Sequence, residues 1–484
     1  MHHSSRARGR GALLLALLIA VAGRGAAAQG AGAPPAPALD RTLPPTVPSA
    51  KPLVFPAPQQ RSLANGIPVA IMEDHSRPVV MVSAVIRVSP LVEPTAKVGL
   101  GRVVAALMGE GTTRHTADQL TEAFGALGNT VSPTGFYTIT ANVDRSLDLM
   151  AEQFLHPAFP QAALDRIRTR MVADLARARE RPDYIAQRVM MQHLYGADDP
   201  RARAATAATL QAITREDVVR FYETYYRPPN VKLVIAGDIT PREAVAKLDR
   251  AFGHLARGTA GTVAPPPVRP IDSTVVYLYD RPGSAQSAIV VAQRLPPRDS
   301  PDRTALELLN TVLGGAFNSR LNLDLREQHH YAYFAQSSVD FPPLGAPGTL
   351  VAQTEVETDK TDSALAAMVR DVRDIRDATP VTADELAFAR AAMTRDLPLR
   401  LETVAARAMA LADLVERDEP LDYYRRIGDD YRRVSLDRVR RVAAHYISPQ
   451  RMVLVVVGDR HAIEPALRAS SVAPLVIVPP LSAE

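Results

Sequence analysis

The 484-residue chain contains no cysteine. That excludes a disulfide framework, a thiol nucleophile and any Cys-ligated zinc or iron–sulfur centre. It also contains no tryptophan, and only five of its 56 basic residues are lysine. Nor is there a long apolar run. The longest near the start, Ala12 to Ala22, falls short of the ~20 residues that span a bilayer. A strong basic excess is missing too. The formal charge is +4, and Arg6, Arg8, Arg10 and Arg24 all lie in the first 28 residues, which hold no acid; without them, 4 − 4 leaves about zero. Nucleic acid is therefore not an expected partner, because domains that bind it carry an excess of Lys and Arg.

What is present begins with a leader. Three arginines precede the apolar run, and Ala26, Ala27 and Ala28 follow it. This is the layout of a signal peptide over residues 1–28, with export, to a bacterial periplasm, as the expectation. An uncleaved anchor is the alternative. Residues 29–58 are dense in proline, which supports neither helix nor central strand, and read as a spacer.

A repeat follows. Residues 214–238 (TREDVVRFYETYYRPPNVKLVIAGD) match residues 435–459 (SLDRVRRVAAHYISPQRMVLVVVGD) at a constant offset, 458 − 237 = 221. Each copy reads as a helix, a Pro-containing turn and a buried strand ending in Gly-Asp. Two homologous domains are expected, over 59–255 and 271–467. A Gly/Pro-rich linker at 256–270 joins them, and a tail follows at 468–484. Val79 to Val88, Val275 to Asp280 and Ala288 to Gln293 have strand composition. Residues 116–127, 161–179 and 302–313 have helix patterning. The interleaving is not strict βαβ, so an α+β sandwich is expected. Residues 382–418 read as one solvated amphipathic helix. The apolar stretch 472–480 reads as an added edge strand.

Leu63-Ala64-Asn65-Gly66-Ile67, then Gly99-Leu100 through Gly111-Thr112, resemble the opening and the helix motif of the pitrilysin/insulinase family of inverted zincins. The resemblance extends over 59–467. It implies two tandem metallopeptidase-like domains of the LuxS/peptidase type, forming half of a clam-shell. In that family an H-x-x-E-H helix grips zinc, since His at i and i+4 share one helix face. This chain has Arg102, Ala105 and Ala106 at the three motif positions. A permanently charged guanidinium does not ligate metal, and Ala offers no donor. A third ligand position falls loosely on Asp165. None of the nine histidines outside the leader stand at i and i+4. No metal site is expected on this chain.

The second half keeps more. Leu313 to Tyr333 (LGGAFNSRLNLDLREQHHYAY) resembles the family's L-G-G-x-x-x-S-R-L, L-R-E and a Tyr seven positions after that Arg, here 333 − 326 = 7. The resemblance implies that Arg326 binds substrate main chain and Tyr333 hydrogen-bonds a developing oxyanion. Tyr331, two residues earlier, would share a strand face with Tyr333 and is a second candidate. Gly314-Gly315 has no following Lys-Ser/Thr and is not a phosphate loop. The function implied is a non-catalytic subunit, inactive alone, pairing with an H-x-x-E-H-bearing family member that holds the zinc, with an unfolded peptide as substrate. A scaffold or peptide-binding protein of the same fold is the alternative. An autonomous peptidase with an atypical site is a third reading, against which Arg102, Ala105 and Ala106 stand.

Overall fold

The computed structural model describes residues 55–481 except Thr262 and Leu344. The leader, most of the proline-rich spacer and the last three residues lie outside the described residues. The described residues fall within one compact unit.

Two six-stranded sheets organise the chain. The strands are β1 Gln59–Ser62, β2 Pro68–Glu73, β3 Val79–Ile86, β4 Thr130–Ser132, β5 Gly135–Ile139 and β6 Val231–Gly237, then β7 Val275–Asp280, β8 Gln286–Pro297, β9 Ala332–Asp340, β10 Pro347–Glu357, β11 Val453–Gly458 and β12 Leu475–Val478. The first sheet runs β1-β2-β6-β3-β5-β4 and the second β12-β7-β11-β8-β10-β9. Five strands correspond one to one. The pairs β2·β6 and β7·β11 are parallel, while β3·β6 and β8·β11 are antiparallel. The same chain path is thus used twice, in an α+β sandwich. The tail supplies β12 as an edge, parallel to β7.

The helices used below are α1 Leu100–Leu107, α2 Gln161–Arg179, α3 Pro182–Tyr195, α4 Arg215–Tyr225, α5 Arg303–Asn310, α6 Thr361–Asp374, α7 Val404–Glu416 and α8 Leu436–Tyr446. The repeated helices α4 and α8 keep the offset of 221 at both ends. Both are N-capped by a hydroxyl, Thr214 and Ser435, that accepts from the third helical N–H. Gly237 ends β6 at φ 128°. A Cβ there would sit 2.1 Å from the Val79 carbonyl oxygen, so only glycine fits the turn.

Each half buries one sheet face under its own helices. The other face is covered by a helix from the opposite half. Ile185, Ala186, Val189 and Leu194 of α3 pack on Val290, Ala292, Val453 and Val455 of the second sheet. Ala408, Leu411 and Val415 of α7 pack on Ala70, Met72, Val234 and Ala236 of the first. The expected single solvated helix over 382–418 is therefore corrected. It is three helices, Ala383–Arg395, Leu397–Arg400 and α7, and α7 is a core element. Pro398 interrupts the run, and the Thr403 hydroxyl caps α7 afresh by accepting from the Ala406 N–H at 3.0 Å. Polar contacts add to the exchange. Arg407 on α7 pairs with Asp74 at the end of β2. Asp418, just past α7, takes Arg87 and Lys232 of the first half, each at 2.5 Å.

Candidate functional site

Helix α1 shows why the motif region folds as it does. Leu100, Val103, Val104 and Leu107 form its buried face. Gly99 precedes it at φ 102°, and the Glu93 carboxylate accepts from the Gly99 and Gly101 N–H groups, both at 2.7 Å. These bonds satisfy orphan donors at a positive helix end. Gly111-Thr112 closes the segment beyond α1. The Thr112 N–H donates to the His115 carbonyl at 2.8 Å, and Glu152 holds His115 Nδ1 at 2.8 Å. Burial pushes the Glu152 carboxyl up, but hydrogen bonds from Thr112 and His115 more than offset it and hold the group below its usual range. This carboxylate is a structural acceptor.

Arg102 and Ala105 lie on the exposed side of α1, and Ala106 is half-buried. Asp165 sits on the exposed side of α2, accepting from Gln161 Nε2 at 3.0 Å and pairing with Arg168 on its own helix. Among the described residues, no group of three or more His, Asp or Glu side chains gathers to hold a metal. The residues at the motif positions do not fit zinc, since the trio lacks a donor.

The second-half motif forms a compact device against β9. Helix α5 runs into a π-helical turn, Thr311–Gly315. A short helix Arg320–Asn322 then leads into a second π-helical turn, Leu323–Gln328. Such turns are rare and concentrate at functional sites. Gly314 is required by contact. A Cβ there would lie 2.4 Å from the Ser337 backbone nitrogen and 2.5 Å from its Oγ. Arg320 is bound bidentately by Glu385, both N···O distances 2.7 Å. Leu321 and Leu325 are fully buried. Asn322 Oδ1 accepts from the Ala335 N–H at 3.4 Å, and Ser337 Oγ donates to Asn310 Oδ1 at 2.7 Å. The Asn322 contact, and one from Asn310 Nδ2 to the Ser337 carbonyl at 3.4 Å, satisfy two backbone groups of the edge strand β9.

On this base sit the half-buried Arg326 and two exposed rings. Arg326 lies on the second π-turn, and its guanidinium stacks between two rings, 5.0 Å from the Phe317 centroid and 5.3 Å from that of Tyr333. A cation near two π faces is held in orientation, and the Arg326 Nε also lies 3.3 Å from the Glu327 carboxylate. Tyr333 is 84% exposed and Phe317 65%. A β-bulge makes this possible. Thr354 pairs with Ala335 but Val356 with Ala332, so Tyr333 and Phe334 together oppose one residue. The fold thus brings Arg326 and Tyr333 together. It does not do the same for Tyr331, and the expected shared strand face is corrected. The strand begins at Ala332, His330 turns the chain at φ 55°, and Tyr331 is half-buried, stacked 5.0 Å from the His329 ring.

Residues 212–393 match a family model described as the inactive domain of M16 peptidases. The chain has the M16 peptidase-like fold, and its match to the inactive-domain model spans 182 of its 484 residues (393 − 212 + 1). The likeness is to an inactive domain and to a non-peptidase homolog, and α1 here has no zinc-ligating side chain at the motif positions. The chain is 24% identical over 384 residues to a non-peptidase homolog, YmxG, of Helicobacter pylori, covering 77% of this chain and 87% of that one. Its fold matches an M16 inactive domain from Pseudomonas fluorescens with TM-score 0.75 and 23% identity, over 83% of this chain and 98% of that one. It also matches the periplasmic protease PqqL of Escherichia coli with TM-score 0.69 and 18% identity, over 92% of this chain but 50% of the protease.

Two features escaped the sequence. Phe317 occupies an unspecified position of the motif, and only its exposure marks it. The second is a carboxylate pair beneath the Arg326 turn. Asp324 on the turn binds Arg370 Nη2 at 2.6 Å and His329 Nε2 at 3.3 Å. Asp371 on α6 lies 3.9 Å from Arg370 Nε, and its Oδ2 is buried without a hydrogen-bond partner. Burial, and then the Asp324 charge, push the Asp371 carboxyl up to about 7.

Proposed function

We propose that this chain is the non-catalytic subunit of an exported zinc peptidase, pairing with an H-x-x-E-H-bearing family member. Arg326 would bind the main-chain carbonyls of an unfolded peptide, and the Tyr333 hydroxyl would donate to the oxyanion that forms at the scissile carbonyl. A donor aimed at developing charge in a dry site contributes on the order of 3 kcal/mol. The observation that carries this reading is the Arg326–Tyr333 pair, stacked, ordered by Phe317 and open to a partner, in a chain whose own α1 has no donor for zinc. That this chain matches half of the length of PqqL supports a two-part assembly. The leader supports export to a bacterial periplasm. Zinc would sit on the partner.

The test is capture of the mature chain's partner from its native periplasm, followed by reconstitution. Chelator-sensitive peptide hydrolysis should require both proteins. Arg326→Ala and Tyr333→Phe should each lower turnover about a hundredfold while leaving assembly intact. Unchanged turnover in both variants would refute the complementing role. A partner-free peptide-binding protein is the second reading, favoured by the likeness to a non-peptidase homolog. It predicts peptide binding without any zinc-dependent activity in the captured material.

A further inference from the structure

We propose that Asp371 is a positioning residue for Arg326, acting through the Arg370–Asp324 ion pair that ties the π-helical turn to α6. This rests on the reading of Arg326 as a peptide-binding group.

The geometry gives the mechanism. Arg370 is shared by two carboxylates, each only 14% exposed, at 2.6 Å from Asp324 and 3.9 Å from Asp371. Arg320, the other nearby cation, is committed to Glu385 and to Thr379. The charges that bear on Asp371 are Asp324 from the turn, Arg320 from the helix Arg320–Asn322, and Arg370 and Asp374 from its own helix. Asp374 pairs with Arg373, and His329 faces Asp324. On the neighbouring helix Arg460–Ser470, Arg460 and Arg468 pair with Glu464. When Asp371 is neutral, Arg370 serves Asp324 alone and the turn is held against α6. When Asp371 ionises, two like charges compete for one guanidinium, and the buried orphan Oδ2 demands a partner. Arg370 is drawn toward Asp371, the Asp324 tie weakens, and Arg326, two residues along the turn, loses its stacked position. The raised affinity of Asp371 for its proton places this change near neutral pH.

The experiment measures fluorescence anisotropy of a labelled unfolded polypeptide, reduced and carboxymethylated lactalbumin, binding to the full mature chain from pH 5.5 to 8.5. Wild type should bind about tenfold more weakly at the alkaline end, the loss expected for one charge-assisted contact. Asp371→Asn should bind tightly across the range. Arg370→Gln, at a half-exposed site that tolerates change, should bind weakly throughout. Arg326→Ala should bind weakly at every pH. If Asp371→Asn and Arg370→Gln both keep the wild-type pH profile while Arg326→Ala still loses binding, the positioning role is overturned and the reading of Arg326 stands. If Arg326→Ala binds like wild type, or if wild type binds at no pH, the reading of Arg326 itself is overturned.

Discussion

The exchange of helices between the halves makes a prediction that no separate-domain picture shares. Leu411 of α7 is completely buried against the first sheet, although it lies 174 residues beyond the end of β6 at Gly237 (411 − 237). Leu411→Ala removes three carbons from that contact. Lost transfer free energy is about 2 kcal/mol. The cavity, facing a sheet that cannot collapse onto it, adds about 1–2 kcal/mol more. The expected total is about 3–4 kcal/mol. With no Trp in the chain, far-UV circular dichroism during urea unfolding gives the global loss, and amide exchange locates it. Protection should fall in β2 and β6 of the first half as well as in α7. Met409, on the same helix but 56% exposed, provides the control, and Met409→Ala should cost under about 0.5 kcal/mol. If exchange in β2 and β6 is unchanged in Leu411→Ala while the second half loosens, α7 does not hold the first sheet and the argument fails.

Asp74→Asn should destabilise the chain by about 3 kcal/mol at pH 7, because Arg407 is left buried without its counter-charge. Burial pushes the Asp74 carboxyl up, but hydrogen bonds from Ser76 and the Arg407 guanidinium more than offset this, and its pKa lies below 3.8. A depressed carboxylate pKa contributes stability that is present above the unfolded value and lost as pH falls through the folded one. The gap between wild type and Asp74→Asn in urea midpoints should therefore close below about pH 3.8; a constant gap down to pH 2 would contradict it. Gly314→Ala should lower the melting temperature, at a cost of about 2 kcal/mol, since the added methyl meets the Ser337 backbone nitrogen. An unchanged melting temperature would mean that the π-turn does not press on β9.

Much of the site was legible from residue order. The strand Val275–Asp280 and the helix Gln161–Arg179 keep the bounds their patterns imply, because apolar periodicity reports directly on which face is buried. The donor chemistry of Arg102, Ala105 and Ala106 needs no coordinates either, since the absence of a ligand atom is a property of the side chain. The family resemblance singled out Arg326 and Tyr333, and the fold places the guanidinium 5.3 Å from the tyrosine ring centroid. Tyr331 was misjudged because it was assumed to lie in the strand, which begins one residue later at Ala332. A left-handed His330 and a bulge are decided by packing between Gly314, Asn322 and β9, and no period-2 pattern encodes them.

The sequence by itself determined the repeat, the α+β class and the lack of a metal-ligating side chain at Arg102, Ala105 and Ala106. These follow from local pattern and side-chain chemistry. Only the tertiary structure decided that α3 and α7 cross to the opposite sheets, that Phe317 and Tyr333 bracket Arg326, and that Asp371 lies buried beside Asp324. An amphipathic helix advertises that it needs an apolar surface, not which one. Residues 175 or 47 positions apart (411 − 236; 371 − 324) come into one cluster only when the whole chain has closed around them.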